Sequence, residues 1–186
     1  MILPIVAYGD PVLRKKAQSI DKNYNRLNEI IADMFETMYN AAGVGLAAPQ
    51  VGLSIRLFVI DAAPFAEDDH SLSTFKRVFI NAEMIEQQGE PWKFNEGCLS
   101  IPGIREDIER NPKLTLKYYD ENFKEHTESF EGLKARIIQH EYDHIDGVLF
   151  TDKVSGLKKR LLQGKLNDIS KGKVNVDYRM RFAVKK

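Results

Sequence analysis

Apolar residues at Leu27, Ile30, Ile31, Met34 and Met38 recur at the spacing of one helix face, and predict an amphipathic helix over residues 25–42. Gly43 stands where helices prefer to end. A second helical stripe, Leu133, Ile137, His140 and His144, lies between Gly132 and Gly147, both boundary signals. A third, through Val154, Leu157, Leu161 and Leu162, predicts a terminal helix to about residue 169. Strand patterns fall elsewhere. Residues 55–61 read as a mostly buried strand and 76–85 as another. Residues 113–118 alternate as a half-buried strand, and 125–130 return after the turn at 120–123. His126 on that return strand reads as exposed. Gly9-Asp10-Pro11 turns the chain out of an N-terminal extended segment, and Gly89-Glu90-Pro91 turns it again. The acidic stretch 62–74, with Glu67-Asp68-Asp69 and a solvated His70, reads as a surface loop. The hairpin strands precede the second helix rather than alternate with helices. The pattern therefore predicts an α+β fold, with mainly antiparallel sheets packed around a central histidine-bearing helix and a C-terminal helix.

Composition narrows the setting. The chain has 186 residues, 43% hydrophobic and 29% charged, which suits a single domain, 1–186, with a sizeable core. The net charge of +0 gives no global attraction to nucleic acid or membrane. It conceals a basic helix and tail over 153–186, where Lys and Arg far outnumber Asp168 and Asp177. A solvated face is the simpler reading of that segment, and weak attraction to an anionic partner such as RNA the functional one. The stretch beyond Lys171 carries no recognisable motif. No stretch resembles a secretory leader or a membrane span, and one cysteine, Cys98, permits no intrachain disulfide. A cytoplasmic, reducing setting is the expectation.

The chemistry centres on His140-Glu141-Tyr142-Asp143-His144. Histidines four apart on a helix lie on one face, so both imidazoles can meet one divalent transition metal. A glutamate beside the first histidine can reach water at such a metal and act as general base. Cys98 follows a glycine in the turn-rich segment 96–103. Its thiolate would complete a three-ligand site with the fourth tetrahedral position open, as catalysis requires. The competing reading makes Cys98 a nucleophile paired with one histidine, which leaves the other histidine and Glu141 idle. The loop from Gly43 to Gln50 holds two glycines, two alanines and a proline. Its backbone can approach a ligand closely, and the Gln50 amide could donate to a developing oxyanion. A plain connection into the next strand is the alternative.

Three segments, Gly43-Val44-Gly45-Leu46-Ala47-Ala48-Pro49-Gln50, Glu96-Gly97-Cys98-Leu99-Ser100 and Gln139-His140-Glu141-Tyr142-Asp143-His144, together resemble the signature motifs of the peptide deformylases, in that family's order. The likeness runs from Gly9-Asp10-Pro11 to about Leu162, with Ile145 where the family commonly has leucine and 67–73 resembling an insertion. It implies a hydrolase that removes the formyl group from N-terminal formylmethionine of nascent peptides. It further implies metal ligands Cys98, His140 and His144, with Glu141 as acid/base. Gln50 and the Leu99 N–H would bind the oxyanion, and Gly45 the peptide backbone. Arg105 matches a position near the mouth of the family's site. Val44, Leu133 and Ile137, with Phe94, are candidates for the methionine pocket. The resemblance implies ferrous iron, replaceable by zinc, nickel or cobalt, and cotranslational work suggests ribosome contact through the basic segment. A zincin-type peptidase shares the helix motif, but no His or Cys follows His144 to act as its third ligand. A metal-stabilised binding protein would want a fourth protein ligand, and none is evident. A degenerate member would lack a signature residue, and none is missing.

Overall fold

A computed structural model describes residues 1–183; Val184 and the tail's last two lysines, Lys185 and Lys186, lie outside the described residues. The chain runs β1 (Ile5–Val6), α1 (Leu27–Asn40), β2 (Gly45–Ala47), β3 (Leu57–Asp61), β4 (Lys76–Gln88), β5 (Trp92–Cys98), β6 (Ile101–Arg110), β7 (Lys113–Tyr119), β8 (Glu125–Glu131), α2 (Gly132–Ile145), α3 (Gly156–Ser170) and β9 (Met180–Arg181). β2, β3, β4, β7 and β8 form one antiparallel sheet in that order, and β5 pairs with β6. β1 and β9 pair in parallel. The expected α+β architecture is present, with α2 against the large sheet and α3 near the C-terminus.

The continuous apolar run of β3 has a structural cause. Phe58 and Ile60 face the cluster that holds Ala135 and Ile138 of α2. Leu57 and Val59 face the opposite cluster, with Ile31, Met34 and Met38 of α1. A strand covered on both faces needs apolar side chains at every position. A third cluster joins Ile101, Ile104 and Ile108 of β6 to Val6, Phe150, and Leu162, Leu166 and Ile169 of α3. Apolar burial at about 25 cal/mol per Å² is the main force holding these layers together.

Specific contacts fix the C-terminal end of α2. Arg56 reaches from β3's entry to Asp146 Oδ1 at 2.8 Å and to the Ile145 carbonyl at 3.3 Å, satisfying groups at the helix C-terminus. Gly147 then turns with φ +75°, and a Cβ there would lie 2.8 Å from the Arg14 carbonyl carbon, so glycine is required twice over.

Several sequence expectations change. The stretch 43–50 is not simply a loop: it contains the edge strand β2 and a 3-10 turn, Ala48–Val51. The segment 96–103 is not merely turn-rich, because it joins the long hairpin β5–β6. The stretch 62–74 forms two 3-10 turns, Ala63–Phe65 and His70–Thr74, anchored by the buried Leu72; His70 itself is exposed. His126 is half-buried, 2.7 Å from Asp120 Oδ2. The tail past α3 returns to pair with the N-terminus. Among the described residues no helix is long and apolar enough to cross a membrane.

Candidate active site

α2 delivers His140 and His144 from one face, and the end of β5 delivers Cys98. The three donor atoms lie within 4.8 Å of one another. His144 Nε2 is 3.3 Å from Cys98 Sγ, and the two imidazole rings are 5.1 Å apart, centre to centre. One thiolate and two imidazoles, converging with no fourth protein donor in the group among the described residues, suit a transition metal with an open coordination position. His144 is buried, and its Nδ1 has no partner among the described residues.

His140 is oriented from behind. Its Nδ1 lies 2.9 Å from Glu96 Oε1, which leaves Nε2 toward Cys98. Arg110 grips the Glu96 carboxylate through Nε at 2.8 Å and Nη2 at 3.0 Å, and Arg136 Nη1 adds a third donor at 2.9 Å. Burial favours the neutral acid, but the hydrogen bonds from His140 and Arg110 outweigh it and hold Glu96 well below the usual carboxylate range. Arg110 also reaches Asp143 at 2.7 Å, and Arg136 bonds the carbonyls of Ile108 and Trp92. The hairpin that carries Cys98 is thereby fastened to the helix that carries the histidines. Sequence reasoning places Glu96 in a signature segment without giving it a role, and misses Arg110 and Arg136. An arginine one turn before His140, on the inward stripe of the helix, is the signal that could have found the last of them.

Glu141 follows His140 on α2, and only 4% of it is exposed. Its Oε2 has no partner among the described residues. Burial pushes its carboxyl up to about 7, with the neighbouring His140 opposing the rise. Gly45 makes room for it: a Cβ on Gly45 would come within 2.8 Å of Glu141 Cγ and Cδ. Gln50 is equally constrained. The Ala47 N–H donates to Gln50 Oε1 at 3.0 Å, which turns Nε2 toward Ser100 Oγ at 3.2 Å and Cys98 Sγ at 3.5 Å.

Cys98, His140, Glu141, Gly45 and Gln50 line a cavity of about 690 Å³, which His144 does not border. Val44, Gly45, Gln50, Cys98, Leu99, Arg105, Ile137, His140 and Glu141 all border it, as do Phe65 and Phe94. Leu133 is not brought to it; that side chain packs on the core beside α2. Arg105 is tied to Asn95, through Nε to the side-chain oxygen at 2.8 Å and Nη2 to the carbonyl at 2.9 Å. The edge of β2 and the strand β5 flank the cavity, an arrangement that lets an extended peptide lie along a strand.

The chain is similar to known proteins throughout. The profile of the family described as Polypeptide deformylase matches residues 2–160, so most of α3 and all that follows lie outside the match. A peptide deformylase of Christiangramia forsetii is 61% identical over 189 residues, covering 98% of this chain and 96% of that protein. One from Flavobacterium psychrophilum is 59% identical over 193 residues, covering 100% of each. The crystal structure of the Thermus thermophilus peptide deformylase matches with a TM-score of 0.82 at 37% identity, over 92% of this chain and 99% of that one.

Proposed function

The chain belongs to the peptide deformylase family, and on that premise we propose that Cys98, His140 and His144 hold one divalent metal beside Glu141, Gln50 and the Leu99 N–H. The protein is a hydrolase that removes the N-formyl group from the formylmethionine of newly made proteins and releases formate. The observation that carries the site assignment is the convergence of the three donor atoms beside the buried, unpartnered Glu141 oxygen.

When bound, the metal supplies a Lewis acid that makes water a competent nucleophile near neutral pH. Glu141 Oε2 takes the proton of the water that attacks the formyl carbon, and gives it to the departing amine. The Gln50 amide and the Leu99 N–H donate to the oxygen on which charge develops. The hydrogen bond from Ala47 sets the Gln50 amide before substrate arrives, so little reorganisation is needed during the reaction. Gly45 bonds the peptide backbone from the β2 edge, and Arg105 stands along the same cavity. Val44 and Ile137, with Phe65 and Phe94, supply the apolar surface for the methionine side chain. Leu133, which packs behind, supports that surface without bordering the cavity.

Ferrous iron is the ion proposed for the cell, with zinc, nickel or cobalt able to replace it; thiolate and imidazole donors support this set. Residues 1–186 are proposed as one catalytic domain, with 153–186 its basic helix and tail, working in the cytoplasm. The exposed Lys159, Arg160 and Lys165 of α3 offer charge to ribosomal RNA. Changing all three to glutamate is expected to abolish salt-sensitive co-sedimentation with ribosomes; unchanged co-sedimentation excludes the contact.

Formate release from a formyl-methionyl tripeptide, with anaerobically purified iron-loaded protein and an acetyl-methionyl control, tests the function. Rapid release with the acetyl peptide untouched is expected. Internal cleavage of longer peptides, or no turnover with metal bound, would contradict it.

A further inference from the structure

Beyond α3 the chain turns back over the site. Met180 pairs with Ile5 and Arg181 with Val6, while Val174, Met180 and Phe182 pack on the third core cluster. Between these anchors Asn175, Val176, Asp177 and Tyr178 border the cavity that holds Cys98 and Glu141. The Tyr178 hydroxyl donates to the Leu99 carbonyl at 2.7 Å.

Leu99 and Ser100 connect β5 to β6, with Cys98 opposite Ile101. The connection is held at several points. The Tyr8 N–H donates to the Ser100 carbonyl at 2.9 Å, and Gln50 Nε2 to the Ser100 hydroxyl at 3.2 Å. Tyr178 supplies the hold on Leu99 itself. The segment that does this lies outside the part of the chain matched by the family profile.

We propose that residues 174–178 form a strap that is one wall of the substrate cleft, in which Tyr178 is a positioning residue for Leu99 and Asp177 faces the substrate residues that follow methionine. This rests on the deformylase reading of the same site. A hydrogen bond to the Leu99 carbonyl restrains the residue whose N–H meets the developing oxyanion. Its loss therefore acts on transition-state stabilisation more than on substrate binding. Asp177, exposed on the cavity side, brings a carboxylate to the wall. Charges arranged along a binding surface decide which partners are favoured more than they decide how tightly each is held.

Two full-length variants test the strap. Tyr178→Phe keeps the ring and removes only the hydroxyl. It is expected to lower kcat about fivefold, the loss of one neutral hydrogen bond, with KM and metal content at wild-type values. An unchanged kcat, or a fall in kcat matched by lost metal, would overturn the positioning role. Asp177→Lys is expected to shift the kcat/KM ratio of formyl-Met-Ala-Lys to formyl-Met-Ala-Glu about fivefold or more toward the glutamate peptide. Calorimetry with the two unformylated peptides is expected to shift the same way. Ratios equal to wild type in both measurements would overturn the wall. Failure of the wild type to release formate would defeat the deformylase reading, whereas the strap is judged by differences between variants, in peptide binding as well as turnover.

Discussion

His140 Nδ1 meets Glu96 Oε1 at 2.9 Å, a contact that joins residues 44 positions apart and aims the imidazole at Cys98. Glu96 is held in turn by two buried arginines. A ligand oriented by a carboxylate loses affinity when that partner changes, by about 10- to 100-fold. Glu96→Gln is expected to weaken metal binding within that range, read by competition with a chelator. Affinity within twofold of wild type would show that Glu96 does not orient His140.

Gly45 and Glu141 are in contact because Gly45 has no side chain. Gly45→Ala puts a methyl group where the Glu141 side chain lies, 2.8 Å from two of its carbons. Displacing the proposed general base by about 1 Å costs rate and leaves the proposed metal ligands in place, so kcat is expected to fall about 100-fold. Metal analysis on the same samples is expected to be unchanged. A variant with wild-type kcat would mean that the carboxylate position is not critical.

Glu141 also leaves a signature in the metal-free protein. Burial raises its carboxyl from 4.5 to about 7. Below pH 4.5 the group is protonated whether the chain is folded or not, and the folded state carries no charge penalty. As pH rises toward about 7 the unfolded state releases its proton first, and stability falls by about 3 kcal/mol. Metal-free Glu141→Gln lacks this loss. Its stability advantage over metal-free wild type is expected to grow between pH 5 and pH 8, measured by denaturant unfolding. An advantage independent of pH would contradict the burial effect.

The larger elements could be read from the chain because their burial leaves a period. Leu27 to Met38 and the alternation of Lys113 to Tyr118 each bury one face over several turns or pleats, whereas α2 is buried without a break from Ala135 to Gln139 and was read from its histidine motif and flanking glycines. The convergence of Cys98, His140 and His144 was legible because these residues sit in compact motifs. β2 and β9 were not, since three and two residues carry no period and are strands only through their partners. The β5–β6 hairpin was missed because Gly97, Pro102 and Gly103 read as turn punctuation inside paired strands. The support beneath His140 was invisible for another reason. Glu96, Arg110 and Arg136 are far apart in sequence, and only folding makes them one buried network. Tyr178 belongs to the same class, reaching Leu99 across 79 positions.

The most direct test of the site measures metal content and formate release together, for wild type and Glu141→Ala, in the same preparations. Both are expected to carry about one metal ion per chain, held by Cys98, His140 and His144, with formate released by wild type alone. Loss of metal together with activity would make Glu141 a structural support of the site, and turnover surviving in the variant would place the general base elsewhere.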